Sequence, residues 1–205
     1  MCFHSKQSKS ATQLENRFNA KIERPALFKE NIIYNGFTYP HTPVITNKNK
    51  DLIQEYNWGL IPFWSMDDAI KAYTLNARIE TIKDKPSFKG AINNRCLIIS
   101  DGFFEWQWLD EKGRKKQKYL LTHKEAELFA FAGLYSNWID KTTGEIKNTY
   151  TIVTTQANAF MSEIHNSKKR MPIILTPERE KSWMAGEEID HFANDEIELL
   201  AIPIQ

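Results

Sequence analysis

From Arg95 onward the chain reads as short apolar runs, each closed by a turn signal, and this rhythm points to a strand-rich fold. Arg95-Cys96-Leu97-Ile98-Ile99-Ser100 has the pattern of a buried strand and ends at the turn pair Asp101-Gly102. Lys118 to Thr122 and Leu128 to Leu134 read as two further strands, joined by residues 123–127. Asn148 to Thr155 alternates like a strand, and Pro172 to Leu175 is strand-like. Ala201-Ile202-Pro203-Ile204 reads as an edge strand, because a proline cannot donate to a ladder on both sides. Helical signals are fewer: Thr12 to Asn19, Ala157 to Ile164, and Thr176 to Met184, which opens on a Thr N-cap with Pro at the first helical position. The predicted class is α+β, compact and strand-rich. No repeat, low-complexity tract or Gly/Ser linker divides the chain, so one domain over 1–205 is expected.

Composition narrows the function classes. With 205 residues, 41% hydrophobic and 12% aromatic, the chain can bury a core and is too aromatic to be disordered. No apolar run approaches the ~20 residues of a membrane span. The start, Met-Cys-Phe-His-Ser-Lys, lacks the apolar stretch of a signal peptide. Two cysteines, Cys2 and Cys96, cannot build a disulfide scaffold, and no Cys-x-x-Cys pair is present for zinc. A reducing cytoplasm, in contact with the nucleoid, is the expected location, and nothing demands more than a monomer. Net charge is +1, but residues 183–205 carry six acids (Glu187, Glu188, Asp190, Asp195, Glu196, Glu198) and no Lys or Arg. The remaining 27 bases and 20 acids give residues 1–182 a charge of +7, a balance that suits either a polyanion partner or a solvated charged face.

Individual residues carry chemistry in more than one reading. Removal of Met1 ahead of the small Cys2 side chain would leave an amine and a thiol on one frame. With an amine pKa of ~7.7–8.0, roughly a tenth of it is neutral at pH 7. Such an aminothiol attacks an aldehyde twice, nitrogen first and sulfur second, to close a thiazolidine. Glu105 lies between Phe104 and Trp106 just past a buried strand. Desolvated there, its pKa rises toward neutrality and it relays protons; alternatively Phe-Glu-Trp reads in-out-in and Glu105 is a surface residue. Asn76 can orient a nucleophile, and Arg78 can fork onto a phosphate or simply pair with Glu80. His165 precedes Lys168-Lys169-Arg170, a proton shuttle beside phosphate-binding bases or a bystander in a basic loop. Trp58 reads as core. Trp64, before a polar loop, is a candidate platform for an unstacked base. His4, His41, His123 and His191 show no metal-ligand spacing.

The order and wording of these segments go further than any one of them. Met1-Cys2, Trp58-Gly59-Leu60-Ile61-Pro62-x-Trp64, Asn76-Ala77-Arg78-x-Glu80-Thr81, and Arg95-Cys96-Leu97-Ile98-x-x-Asp101-Gly102-Phe103-Phe104-Glu105-Trp106 run in sequence. Ala130 to Leu134 follows, then His165 and Arg170-Met171-Pro172-x-Ile174-Leu175. The series closely resembles the SRAP family (SOS response-associated peptidase domain), which shields abasic sites in single-stranded DNA. The resemblance spans Cys2 to about Leu175. It implies a compact α+β fold with a positively charged groove and a covalent link from Cys2 to the ring-opened abasic sugar. It implies that Asn76 positions Cys2, that Glu105 is the acid/base, and that His165 moves protons on the sugar. Arg78 and Arg170 match phosphate-contacting arginines, Trp64 falls in the aromatic region near DNA, and no metal or other cofactor is implied. Two departures stand out. Phe3-His4 replaces the usual Gly-Arg and joins the DNA-contacting candidates. Asn166-Ser167-Lys168-Lys169 separates His165 from Arg170-Met171-Pro172, so Lys168 and Lys169 can share the role of Arg170. An N-terminal-nucleophile peptidase and a non-catalytic single-strand-binding module are the alternatives.

Overall fold

The computed structural model describes residues 2–30, 32–193 and 197–204; Met1, Asp195 and Glu196 of the readings above lie outside them. In chain order the elements begin with β1 (His4–Gln7), α1 (Ala11–Phe18), β2 (Lys21–Ile22), β3 (Ile32–Asn35), β4 (His41–Thr46), β5 (Asn49–Trp58) and β6 (Asn76–Arg78). A short helix α2 (Pro86–Lys89) precedes β7 (Arg95–Ser100), β8 (Gly102–Trp108), β9 (Lys116–His123), β10 (Phe129–Ile139) and β11 (Ile146–Gln156). The chain closes with α3 (Ala159–Ile164), β12 (Arg170–Pro172), β13 (Ile174–Leu175), α4 (Pro177–Ala185) and β14 (Leu199–Ile204). The class is α+β and strand-rich, as the apolar rhythm predicts.

Two sheets share the strands. One has the order β14-β9-β8-β1-β3, all antiparallel, with β14 at its edge as Pro203 requires. In the other, β11 pairs β10, β10 pairs β7, β7 pairs β4 and β4 pairs β5. Then β5 returns to β11 in parallel, Asn57 opposite Thr149 and Trp58 opposite Tyr150, which closes the five strands into a barrel. Closure removes the free edges that an open sheet must protect.

Alternation sorts the barrel side chains into two clusters. Val44, Cys96, Ile98, Phe131, Tyr135, Tyr150 and Ile152 form one, which continues through Phe103, Leu121 and Cys2 on the five-stranded sheet. Ile45, Leu97, Ile99, Ala132 and Leu134 form the other, together with Leu14 of α1 and Trp183 and Met184 of α4. Gly133 in β10 leaves room for this packing. A Cβ there would lie 2.2 Å from Ile98 Cδ1 and 2.8 Å from Cys96 Sγ, so a larger residue collides with its neighbours.

The turn pair Asp101-Gly102 does not make a hairpin. It carries the chain from β7 in the barrel to β8 in the other sheet, and the Asp101 carboxylate holds the crossing by accepting from Lys6 Nζ (3.1 Å) and the Ser8 backbone N–H (3.1 Å). The strand expected over 172–175 is interrupted at Ile173, whose N–H donates to Val153 O (3.0 Å) while its carbonyl accepts from Ala132 N (2.9 Å). Both cysteines are free and buried. No helix among the described residues is long and apolar enough to cross a membrane.

Candidate active site

The antiparallel register of β1 against β8 places Ser5 opposite Phe103 and Lys6 opposite Gly102. N-terminal to these pairs the chain turns Cys2 into the interior, within reach of the Glu105 charge. Cys2 is buried, in the same apolar cluster as Phe103 and Leu121. Its thiol faces the carbonyl of His4, Sγ to O 3.8 Å. Burial first, then the charge of Glu105, raises the thiol pKa far above its usual range, so the sulfur is held protonated.

Asn76 reaches the same point from the barrel. β6 pairs in parallel with β11, Asn76 opposite Ile152. Just before it, the Trp58 indole N–H donates to the Leu75 carbonyl (2.8 Å), so the core tryptophan fixes the start of β6. The Asn76 amide then donates to the Cys2 carbonyl, 2.9 Å. That bond ties the N-terminal residue to the barrel wall.

Glu105 points inward from β8 and is buried. Phe104 and Trp106 take the opposite face of β8, and Phe104 is buried there as well, so the surface reading of Glu105 does not hold. Desolvation pushes its carboxyl up to about 7, half-protonated near neutrality. His165, at the C-cap of α3, lies across from it, Nε2 to Glu105 Oε2 3.9 Å. Burial holds the imidazole down at about 4, with the charges of Arg170 and Lys168 acting the same way. Its Nδ1 lies 2.7 Å from the Arg170 carbonyl, the geometry of an Nδ1–H donor, which leaves Nε2 as the acceptor toward Glu105.

These residues can carry proton transfer around a nucleophile, and their elements match a known family. Residues 1–202 fit the model described as SOS response associated peptidase (SRAP). The chain belongs to the SRAP family. Abasic site processing protein YoqW of Bacillus subtilis is 41% identical over 148 residues, 72% of this chain and 63% of that protein. Abasic site processing protein HMCES of Gallus gallus is 30% identical over 173 residues, 73% of this chain and 50% of that protein. This SRAP chain thus spans less than two thirds of the length of the curated relatives named here. A solved protein from Bacteroides thetaiotaomicron, 36% identical, matches with a TM-score of 0.89 over 100% of this chain and 92% of that one. A second, from Bordetella bronchiseptica, shares the fold at 20% identity and a TM-score of 0.82, covering 100% of both chains.

The remaining predicted contacts each have partners of their own in this SRAP chain. Arg170 is buried: its guanidinium grips Glu80 through two bonds (2.6 and 2.9 Å) and donates to the Thr154 carbonyl (2.8 Å). Glu80 therefore pairs with Arg170 rather than with its near neighbour Arg78, which is exposed. Spacing favoured the local pair; the parallel β6–β11 and antiparallel β11–β12 pairings bring the distant partner in. Lys168 and Lys169 are exposed on the loop after His165, and Asn166 clamps that loop to β8, accepting from Trp108 N (3.0 Å) and donating to Trp108 O (2.9 Å). Phe3 lies against Phe37, ring centroids 4.7 Å apart, and His4 packs on Trp106 at 5.0 Å. Burial and the Lys118 charge hold His4 below its usual pKa, so it offers a ring rather than a cation at neutral pH. Trp64 is 45% exposed, its indole N–H 3.3 Å from the Pro86 carbonyl, in a cleft shared with Phe63 and Asn94. Trp58 is core, as expected.

Proposed function

We propose that this SRAP protein processes abasic sites in single-stranded DNA by crosslinking to them through Cys2. The observation that carries the reading is the convergence of Asn76, Glu105 and His165, from three separate elements, around Cys2. Loss of Met1 frees the Cys2 amine. His165 Nε2 takes the hydroxyl proton of the closed sugar while protonated Glu105 gives one to the ring oxygen, which opens the aldehyde. The amine adds to C1′, and an acid proton leaves with the hydroxyl as water. The thiol then adds to the iminium carbon and yields its proton to the Glu105 carboxylate, which restores the acid. Asn76 holds the Cys2 backbone so that both nucleophilic atoms stay on one carbon. Exposed Arg78, Lys168 and Lys169 contact phosphates, and Trp64, Phe3 and His4 offer rings to flanking bases. Arg170 acts through its backbone carbonyl, as a positioning residue for His165.

The test is intact mass. Incubated with a single-stranded oligonucleotide carrying one abasic site, the protein without Met1 gains the oligonucleotide mass less one water. The adduct survives heat denaturation. Cys2→Ala forms none; a heat-stable adduct with that variant would refute the reading. Peptide turnover without any aldehyde would favour a peptidase instead.

A further inference from the structure

We propose that the solvent face of the β8–β9 hairpin is a second nucleic-acid surface, which carries the single strand flanking the abasic site; this rests on the abasic-site reading above. β8 is two-faced. Glu105 turns inward; Phe104, Trp106 and Trp108 share the other face, where Phe104 is buried beneath Lys118 and the two tryptophans are part-exposed. The antiparallel register sets Trp106 opposite Lys118 and Trp108 opposite Lys116. The Lys118 ammonium lies 4.3 Å from the Phe104 centroid and 5.6 Å from Trp106, and that of Lys116 lies 5.6 Å from Trp108. Rings and cations thus alternate across the two strands.

The turn between them extends the charge. Residues 110–118 hold Lys112, Arg114, Lys115, Lys116 and Lys118 against Asp110 and Glu111. Asp110 is spent on folding the turn, its oxygens accepting from the backbone N–H groups of Arg114 (2.9 Å) and Lys115 (2.8 Å). Gly113, at φ +62°, lies so close over the Trp108 ring that a Cβ would sit 2.5 Å from it. The tip is therefore shaped by backbone contacts, and its long basic side chains are free of that task.

Two arguments select a single strand as the occupant. Charge complementarity calls for a polyanion, and rings spaced ~7 Å apart along a strand suit unstacked bases, as in sheet-based RNA readers. The surface is also continuous with the candidate site. β8 carries Glu105, His4 packs on Trp106, and Asn166 fastens the Lys168-Lys169 loop to Trp108.

The test uses the whole chain and two lengths of DNA: a 5-mer with one abasic site, and a 30-mer of deoxythymidine. The triple variant Arg114→Gln/Lys115→Gln/Lys116→Gln should weaken 30-mer binding by about tenfold. It should reduce the log–log salt slope by about 2, at ~0.7 per lost phosphate contact. Crosslinking of the 5-mer should be unchanged. Lys115→Gln alone, at an exposed turn position, gives a smaller shift of the same sign should the triple variant fold poorly. Unchanged 30-mer affinity and salt slope in folded variants would overturn the proposal. If the wild-type chain crosslinks no abasic oligonucleotide, the chemistry of Cys2 fails, while the 30-mer titration still judges the hairpin.

Discussion

Glu105 and His165 face each other across 3.9 Å, and burial drives both to their neutral forms. Their contributions to stability run in opposite directions with pH. Glu105 titrates at about 7 in the fold against 4.5 ordinarily. Between those values the native state keeps a proton the unfolded chain has released, so stability falls as pH rises. His165 titrates at about 4 against 6.5 ordinarily, so over that window the unfolded chain takes up a proton and stability rises with pH. Each effect amounts to about 3 kcal/mol at full extent. From pH 4.5 to 6.5 the two largely cancel. Urea unfolding should expose the hidden slopes: Glu105→Gln gains stability across that range, and His165→Asn loses it. Parallel behaviour of the two variants would contradict the assignment. Crosslinking should slow as pH passes about 7, where Glu105 loses the proton it donates.

Strands and their caps hold these two groups in place. The loop after α3 presents His165, and the Arg170 carbonyl sets its tautomer. Arg170 in turn is gripped by Glu80, which follows β6. Glu80→Ala leaves a buried guanidinium short of its carboxylate; because Glu80 is itself half-exposed, the expected cost is about 1–3 kcal/mol. The crosslinking rate should fall more than DNA affinity does, and Glu80→Gln, which still accepts hydrogen bonds, should restore part of it. A drop in affinity alone would instead make Arg170 a direct phosphate contact. Packing constrains β10 in a different way. Gly133→Ala pushes a methyl into Ile98 and Cys96, at about 1–3 kcal/mol for an overpacked core. Ile98→Val, by removing the atom struck first, should recover part of that loss in the double variant.

At the scale of the molecule, the barrel and the five-stranded sheet share one apolar cluster, and Cys2 lies within it. The C-terminal segment is part of this body. Trp183 donates its indole N–H to Cys96 O (3.1 Å), stacks under Arg95 (4.6 Å) and meets Phe192 edge-on (5.0 Å). Glu188 and Asp190 close on Lys83 at 2.5 and 2.7 Å, so part of the acidic charge is paired against the basic body. Trp183→Ala should cost about 3–5 kcal/mol in urea unfolding, as a large buried ring is lost and a strand carbonyl loses its donor. A loss below about 1 kcal/mol would show that α4 only rests on the barrel.

Local patterning was enough to mark β7, β9, β10, β11, β14, α1, α3 and the capped α4, because short-range alternation and cap residues act within a few positions. It marked none of the first six strands. β5 opens on Asn49-Lys50-Asp51, residues with little taste for a sheet, and is held by the adjacent β4 and, at Asn57 and Trp58, by the distant β11. Residue wording also marked Cys2, Asn76, Glu105 and His165. Their meeting comes from the register of β1 on β8 and of β6 on β11, pairings that no stretch of neighbours encodes. The same holds for Glu80, whose partner lies ninety positions away. The basic run at 112–118 was open to view in the amino-acid order, but its rings and cations share a face only once β8 and β9 pair. Propensity and patterning act along the chain; proximity across it arises from folding.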